Sequence, residues 1–292
     1  MRYYSKSYKT FLVFNYLFIG LLGLVCILPL IHILAVSLSS RDAATANIVN
    51  FIPIDFTTAA YKETLGNNNF LRALMIGVQR TLLGTFISLA VTMTAAYSLS
   101  KDNYKFKGRN IYSWFFIVVM LFNGGLIPTY LVVTNTGLTD TIWALVIPSA
   151  VNVWNMILML NFFRNLPQEL EEAALIDGAG HFRTLFSIFI PVSMPSGATI
   201  LLFTMVMHWN SWFDGIIYMT KIQDYPLASF LHTIVVKENF SEVGVDLAAL
   251  NQISNRTVKS SQIFIGALPI LLVYPFLQKY FVKGIVLGSV KG

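Results

Sequence analysis

The chain has 292 residues, 55% of them hydrophobic and only 12% charged, with mean hydropathy +0.65; soluble domains run nearer ~25% charged, so an ordinary soluble domain is excluded and a polytopic membrane protein is expected. The net charge of +6 need not mean nucleic acid, because basic residues on cytoplasmic loops fix a membrane protein's orientation, and no nucleic-acid partner is expected. The one cysteine, Cys26, excludes an internal disulfide, and no Cys/His cluster has metal-ligand spacing.

Residues 1–10 place Arg2, Lys6 and Lys9 among tyrosines, an interfacial anchor. Residues 11–38 are apolar and read as span one. This run is too long for a cleavable signal and lacks a small-residue cleavage site, so it is expected to stay in the membrane. His32, near its far end, reads as a packed or hydrogen-bonded side chain. Residues 39–70 are a polar external loop with short helical pieces. Span two, residues 73–99, carries Gly77, Gly84, Ser88, Ala90, Ala95 and Ala96, small residues that let helices approach in lipid. Arg80 lies inside it; it either faces the bundle or snorkels from the outer third. Residues 100–110 hold Lys101, Lys105, Lys107 and Arg109 and read as cytoplasmic. Span three, residues 111–133, is interrupted by Asn123-Gly124-Gly125 and Pro128. After a tight external turn at 134–140 comes span four, residues 141–163, with Pro148 inside it.

The next segment sets the organisation of the chain. Residues 167–187 form a polar, acidic insert between two apolar runs. Glu169, Glu171, Glu172, Asp177 and Arg183 would each be costly in hydrocarbon, so it does not cross the membrane. Pro167 suits a first helical turn, the three glutamates suit the positive helix end, and Gly178 and Gly180 suit a stop. The reading is a short surface helix, a bend, and then an amphipathic run through Phe182, Leu185, Phe186 and Phe189. Span five follows over 188–219. Residues 220–259 are polar and external, with two weakly helical stretches, LASFLHTIVV and VDLAALNQIS. Span six covers 262–282, and the tail is basic again. Twelve Lys and Arg fall in the inner segments and six in the outer loops, which puts both termini inside. The expectation is one transmembrane domain over 1–292, all-α, in the cell membrane and surrounded by lipid.

Glu172-Ala173-Ala174, then Asp177-Gly178-Ala179, then an apolar run ending at Pro191 closely resembles the Glu-Ala-Ala loop of ABC importer permeases. Four further runs resemble one branch, the maltose-permease-like carbohydrate permeases: NGGLIPTYLVV, WNSWFD, DYPLASFL and the closing YPFLQKYFVKGIVLGSVKG. Within it the likeness is to the Gram-positive subgroup importing complex oligosaccharides. One departure lies in span two, where the family's usual Asn-Ser pair is replaced by Gly77-Val78-Gln79-Arg80-Thr81. The resemblance implies the type I ABC importer permease fold of six spans, with the insert as a cytoplasmic coupling helix. It implies docking on an ATPase through Glu172, Ala173, Ala174, Asp177, Gly178 and Ala179. It implies a second, homologous permease, two ATPase subunits and an extracellular or periplasmic sugar-binding protein. ATP and magnesium would belong to the ATPase. The sequence agrees independently, since it contains no Gly-Lys dipeptide and hence no phosphate-cradling loop.

Sugars are recognised by stacking on aromatic faces and by hydrogen bonds to amides and carboxylates. Candidates along the pathway are Asn123, Asn152, Trp154, Asn155, Trp209, Asn210, Trp212 and Asp214. On one continuous helix Trp209 and Trp212 would share a face, with Asn210 and Asp214 on a neighbouring one. Tryptophans near helix ends also serve as interfacial anchors, and buried asparagines also hold bundles together. Two alternatives stay open. One is an ABC permease for a non-sugar solute such as a peptide. The other is an ion-driven secondary transporter, which calls for paired intramembrane carboxylates, and the spans hold almost no acidic residues apart from Asp214.

Overall fold

The computed structural model describes residues 6–102, 105–241 and 256–289, and every regular element among them is helical. The helices are α1 (Lys6–Ser37), α2 (Arg41–Thr45), α3 (Ala59–Gly66), α4 (Asn68–Ser100), α5 (Arg109–Leu121) and α6 (Leu126–Asn135). They continue with α7 (Ile142–Ser149), α8 (Val153–Arg164), α9 (Gln168–Ile176), α10 (His181–Val192), α11 (Met194–Asn210), α12 (Phe213–Tyr218), α13 (Leu227–Ser241) and α14 (Arg256–Ser289). The expected stretch VDLAALNQIS lies outside the described residues.

Three helices are long and apolar enough to cross a membrane by themselves: Ser7–Ser37, Asn68–Ser100 and Arg256–Phe276. Three pairs qualify jointly: α5 with α6, α7 with α8, and α10 with α11. Counted as one span each, the pairs bring the total to six. None is straight. The α5/α6 pair bends by 116° at the Asn123-Gly124-Gly125 break, where Gly125 sits at φ +87° and Asn123 Oδ1 accepts from the Gly125 amide at 2.9 Å. A non-glycine residue would be strained at that φ.

Two of the expected spans are each built from two helices. Residues 141–163 are not one helix. Pro148 closes the first piece in a 3₁₀ turn, and Asn152 restarts the second as an N-cap, its Oδ1 accepting from the Asn155 amide at 3.0 Å; the axes differ by 48°. Span five, expected over 188–219, bends by 88° at Ser193, between Pro191 and Pro195, and its helix ends at Asn210. A π-turn at Leu185–Phe189 precedes the bend.

The chain divides into two compact units. The first joins Met1–Leu71 with Thr233–Leu268. Its core is Ala35, Val36, Ala43, Ala44 and Val49. Hydroxyl pairs tie it together, Ser37 to Tyr61 and Thr64 to Ser261, and Arg256 Nη1 donates to Ala44 O at 3.1 Å and Asn47 Oδ1 at 2.8 Å. His32 Nδ1 stands 2.7 Å from Asn50 O, the hydrogen-bonded role expected of it. Along α1 the apolar side chains from Phe11 to Ile27 are largely exposed, as suits lipid contact or another apolar surface.

The second unit joins Arg72–His232 with Pro269–Gly292. Its main core packs Ala96, Tyr97, Met156, Met159, Phe163, Leu185, Phe189 and Ile200 from α4, α8, α10 and α11. Small residues let these helices close up. A Cβ added at Gly84 would come 2.5 Å from the buried His208 ring, so any larger residue there would force that ring to shift.

Candidate functional site

The polar insert forms α9, a turn and the start of α10. Pro167 is extended (φ −55°, ψ 131°) and sits one residue before the helix, not within its first turn as the sequence suggested. Glu169 and Glu171 occupy the first turn, where the helix dipole favours them. The stop is a Schellman turn: the Gly178 amide donates to Leu175 O at 3.1 Å and the Ala179 amide to Ala174 O at 2.9 Å. Gly178 takes φ +74°, a left-handed conformation that glycine adopts without steric cost.

The two faces of α9 differ. Ala174 (5% exposed) and Glu171 (6%) face the chain's own interior. Glu172, Ala173, Leu175, Ile176, Asp177 and Gly178 are exposed, Ile176 at 86%. The sequence reading put Ala174 on the outward surface; its small size instead serves packing against its own chain. The inward face makes an ion-pair cluster with the basic loop after α4. Lys101 Nζ stands 3.0 Å from Glu171 Oε1, near enough to pair but out of line for a hydrogen bond, and Lys105 Nζ stands 3.5 Å from Glu171 Oε2. The Lys101 ammonium also lies over the Tyr97 ring at 3.7 Å and the Phe189 ring at 4.3 Å. Burial lowers the Lys101 pKa below the ordinary lysine value, and Glu171 opposes that shift. Arg109 Nη1 donates to Lys101 O at 3.0 Å and Arg164 Nη2 to Leu99 O at 3.2 Å, fastening the loop to the ends of α4 and α8. This brace went unread in the sequence.

Removing one partner of a buried pair leaves an uncompensated charge, at a cost of roughly 3 kcal/mol. Glu171→Ala is therefore expected to lower the melting temperature of the purified protein clearly. Glu171→Ala with Lys101→Met is expected to recover much of the loss. A thermal melt in which the single variant matches wild type would sink the brace.

The pathway candidates fall into separate groups. Trp209 and Trp212 do not share a helix face, because α11 stops at Asn210 and Ser211 is extended (φ −70°, ψ 115°). The same break separates Asn210 from Asp214. The break is tied to Arg80, which is 1% exposed: its Nη1 donates to Ser211 O at 2.7 Å and to Asp214 Oδ1 at 3.1 Å, and its Nη2 pairs with Asp214 Oδ2. Arg80 thus faces the bundle and does not snorkel. Asp214 Oδ1 also accepts from the Gly215 amide at 2.9 Å. Trp212 stacks on His232 with ring centroids 3.7 Å apart, and its carbonyl accepts from Ser229 Oγ at 2.6 Å. Trp209 lines an apolar cavity of about 120 Å³ with Val78, Leu202 and Pro269. Asn155 is buried and donates to Thr204 Oγ1 at 3.4 Å, while Asn123, Trp154 and Asn210 are exposed. A buried polar stripe continues Arg80 along α4 through Thr81, Thr85, Ser88 and Thr92. Its spacing of three and four residues was visible in the sequence.

The model of one protein family, binding-protein-dependent transport system inner membrane component, matches residues 94–287, more than half of the chain. Protein LplC of Bacillus subtilis is 40% identical over 99% of this chain and 97% of its own length. The polygalacturonan/rhamnogalacturonan transport system permease protein YtcP of the same organism is 37% identical over 95% of this chain and 96% of its own. Among solved structures, a bacterial ABC transporter involved in the import of the acidic polysaccharide alginate matches with TM-score 0.84 and 30% identity, covering 96% of this chain and 100% of that one.

Proposed function

Because the chain belongs to the binding-protein-dependent transport system inner membrane components, we propose that it is the permease subunit of an ATP-driven importer for an oligosaccharide or polysaccharide fragment. The observation that carries the coupling half is α9. Its inner face is locked to the basic loop by Glu171, while Glu172, Ala173, Ile176, Asp177 and Gly178 stand free on the outside. A rigid helix with a small-residue, partly apolar outer face is a fitting lever for a second protein, and that protein is an ATPase subunit. ATP and magnesium are bound there, and two such subunits act with a second, homologous permease and an extracellular sugar-binding protein. Both termini and α9 then lie on the cytoplasmic side.

Transport runs by alternating access. ATP closes the two ATPases, α9 moves with them, and the α10/α11 bend between Pro191 and Pro195 passes the movement into the bundle. The carbohydrate half rests on relatives whose names specify polygalacturonan, rhamnogalacturonan and alginate. The ion-driven reading is disfavoured because Asp214 is already neutralised by Arg80.

Membrane vesicles carrying the whole complex test this. Uptake of labelled oligogalacturonide is expected to require ATP and the loaded binding protein, to survive a protonophore and to ignore competing peptide. Uptake that collapses with the protonophore and persists without ATP would overturn the reading.

A further inference from the structure

The brace behind α9 borders two adjoining clefts. One, of about 270 Å³, lies between the end of α4, the loop before α5, the end of α8 and the start of α9. Its charged lining is Lys101, Lys105, Arg109 and Arg164 against Asp102 and Glu171, four positive groups to two negative. Lys101 is only 7% exposed, and among the described residues its Nζ is paired with Glu171 Oε1 at 3.0 Å without a well-aligned hydrogen bond. A buried ammonium normally acquires one, since the missing bond is costly. The second cavity, of about 320 Å³, shares Lys101 and Lys105 with the first and is otherwise walled largely by apolar and aromatic side chains, Tyr97, Phe106, Phe182 and Leu185. Phe182 is 75% exposed at its rim.

This is the layout for a molecule with an anionic head and an apolar tail. Its place in the fold fits as well. Ser100 ends α4 and Arg164 ends α8, both in segments long and apolar enough to cross a membrane, so the basic cavity lies at the same end of both, and basic pockets at the ends of spans attract anionic headgroups. Exposed Ile111, Trp114 and Phe115 on α5 continue the apolar surface away from it.

We propose that the paired cavities form a binding site for a phosphate-bearing amphiphile, an anionic glycerophospholipid. Its phosphate lies among Lys101, Lys105, Arg109 and Arg164, and an acyl chain runs against Phe106 and Phe182. The phosphate supplies a better-aligned acceptor for Lys101 beside Glu171 and offsets the excess positive charge. The lipid stiffens the joint between the basic loop and α9, so the anionic content of the membrane tunes how firmly α9 is held. A free phosphate ion shares the head chemistry and lacks the tail. The inference goes beyond the transport reading and requires only that the chain sits in a membrane.

The test is native mass spectrometry of the intact complex released from nanodiscs of phosphatidylglycerol mixed with phosphatidylcholine, with a parallel thermal-shift titration of inorganic phosphate. Wild type is expected to retain phosphatidylglycerol in preference to phosphatidylcholine. Lys105→Gln should lower that retention about tenfold, as loss of a charge-assisted contact implies. Phe182→Ser, at an exposed position that tolerates change, should lower lipid retention and leave the phosphate response intact. Lys107→Gln, on the same loop but outside both cavities, should match wild type. A phosphate response without lipid preference would overturn the lipid and leave a free-anion site. Equal phosphatidylglycerol retention in all variants would overturn the site altogether.

Discussion

Asp214→Ala is expected to be among the most damaging single substitutions in the bundle. It strips the counter-charge from Arg80, which is 1% exposed, and the Oδ1 acceptor from the Gly215 amide. Breaking a buried pair by removing one partner costs roughly 3–5 kcal/mol, because the remaining charge is uncompensated. The Asp214 side chain is 22% exposed, so the reverse change, Arg80→Met, should cost less. The double variant, Arg80→Met with Asp214→Leu, should regain much of the loss, since apolar replacement of a whole buried pair is often close to neutral. Accumulation in membranes and the melting temperature of the detergent-solubilised protein report this order. Single variants that both melt like wild type would mean that the pair holds nothing together.

Ala173→Trp is expected to leave the folded chain alone and uncouple it from ATP hydrolysis. Ala173 is exposed on the outer face of α9, and such surface substitutions usually change stability by no more than about 0.5 kcal/mol. A tryptophan in the middle of a docked face would hold the ATPase away, at a cost of about 2 kcal/mol or more, some thirtyfold in association. The melting temperature of the isolated chain should therefore hold while ATPase activity stimulated by loaded binding protein falls at least tenfold. Ala174→Trp should act differently. Ala174 is 5% exposed, so a large side chain there overpacks the interior and lowers the melting temperature itself. A lowered melt for Ala173→Trp equal to that for Ala174→Trp would erase the distinction between the faces.

The insert was legible because its polarity, its run of glutamates and its glycine stop all agree against an apolar background. Which glutamate turns inward was not. Glu169, Glu171 and Glu172 look alike in sequence, and the choice depends on Lys101 and Lys105, residues remote along the chain. Arg80 announced itself as a charge within an apolar span, but its partner lies 134 residues away. The shared face of Trp209 and Trp212 was a spacing argument that assumed a continuous helix. No glycine or proline marks the break at Ser211; the tie from Ser211 and Asp214 to Arg80 accompanies it. The break in span four could have been read, since Pro148 followed by Asn152 is a stop and an N-cap within one apolar run. The α5/α6 break was read, because Asn123-Gly124-Gly125 has no other economical use in a span.

The most direct measurement replaces Ile176 with a photoreactive benzoylphenylalanine in the assembled complex. At 86% exposure on the outer face of α9, this position accepts the larger ring without disturbing the brace. On irradiation, the account predicts an adduct between this chain and the ATPase subunit, identified by mass spectrometry and altered in yield by ATP. Adducts only with lipid or with this chain itself, in a complex that still transports, would contradict it.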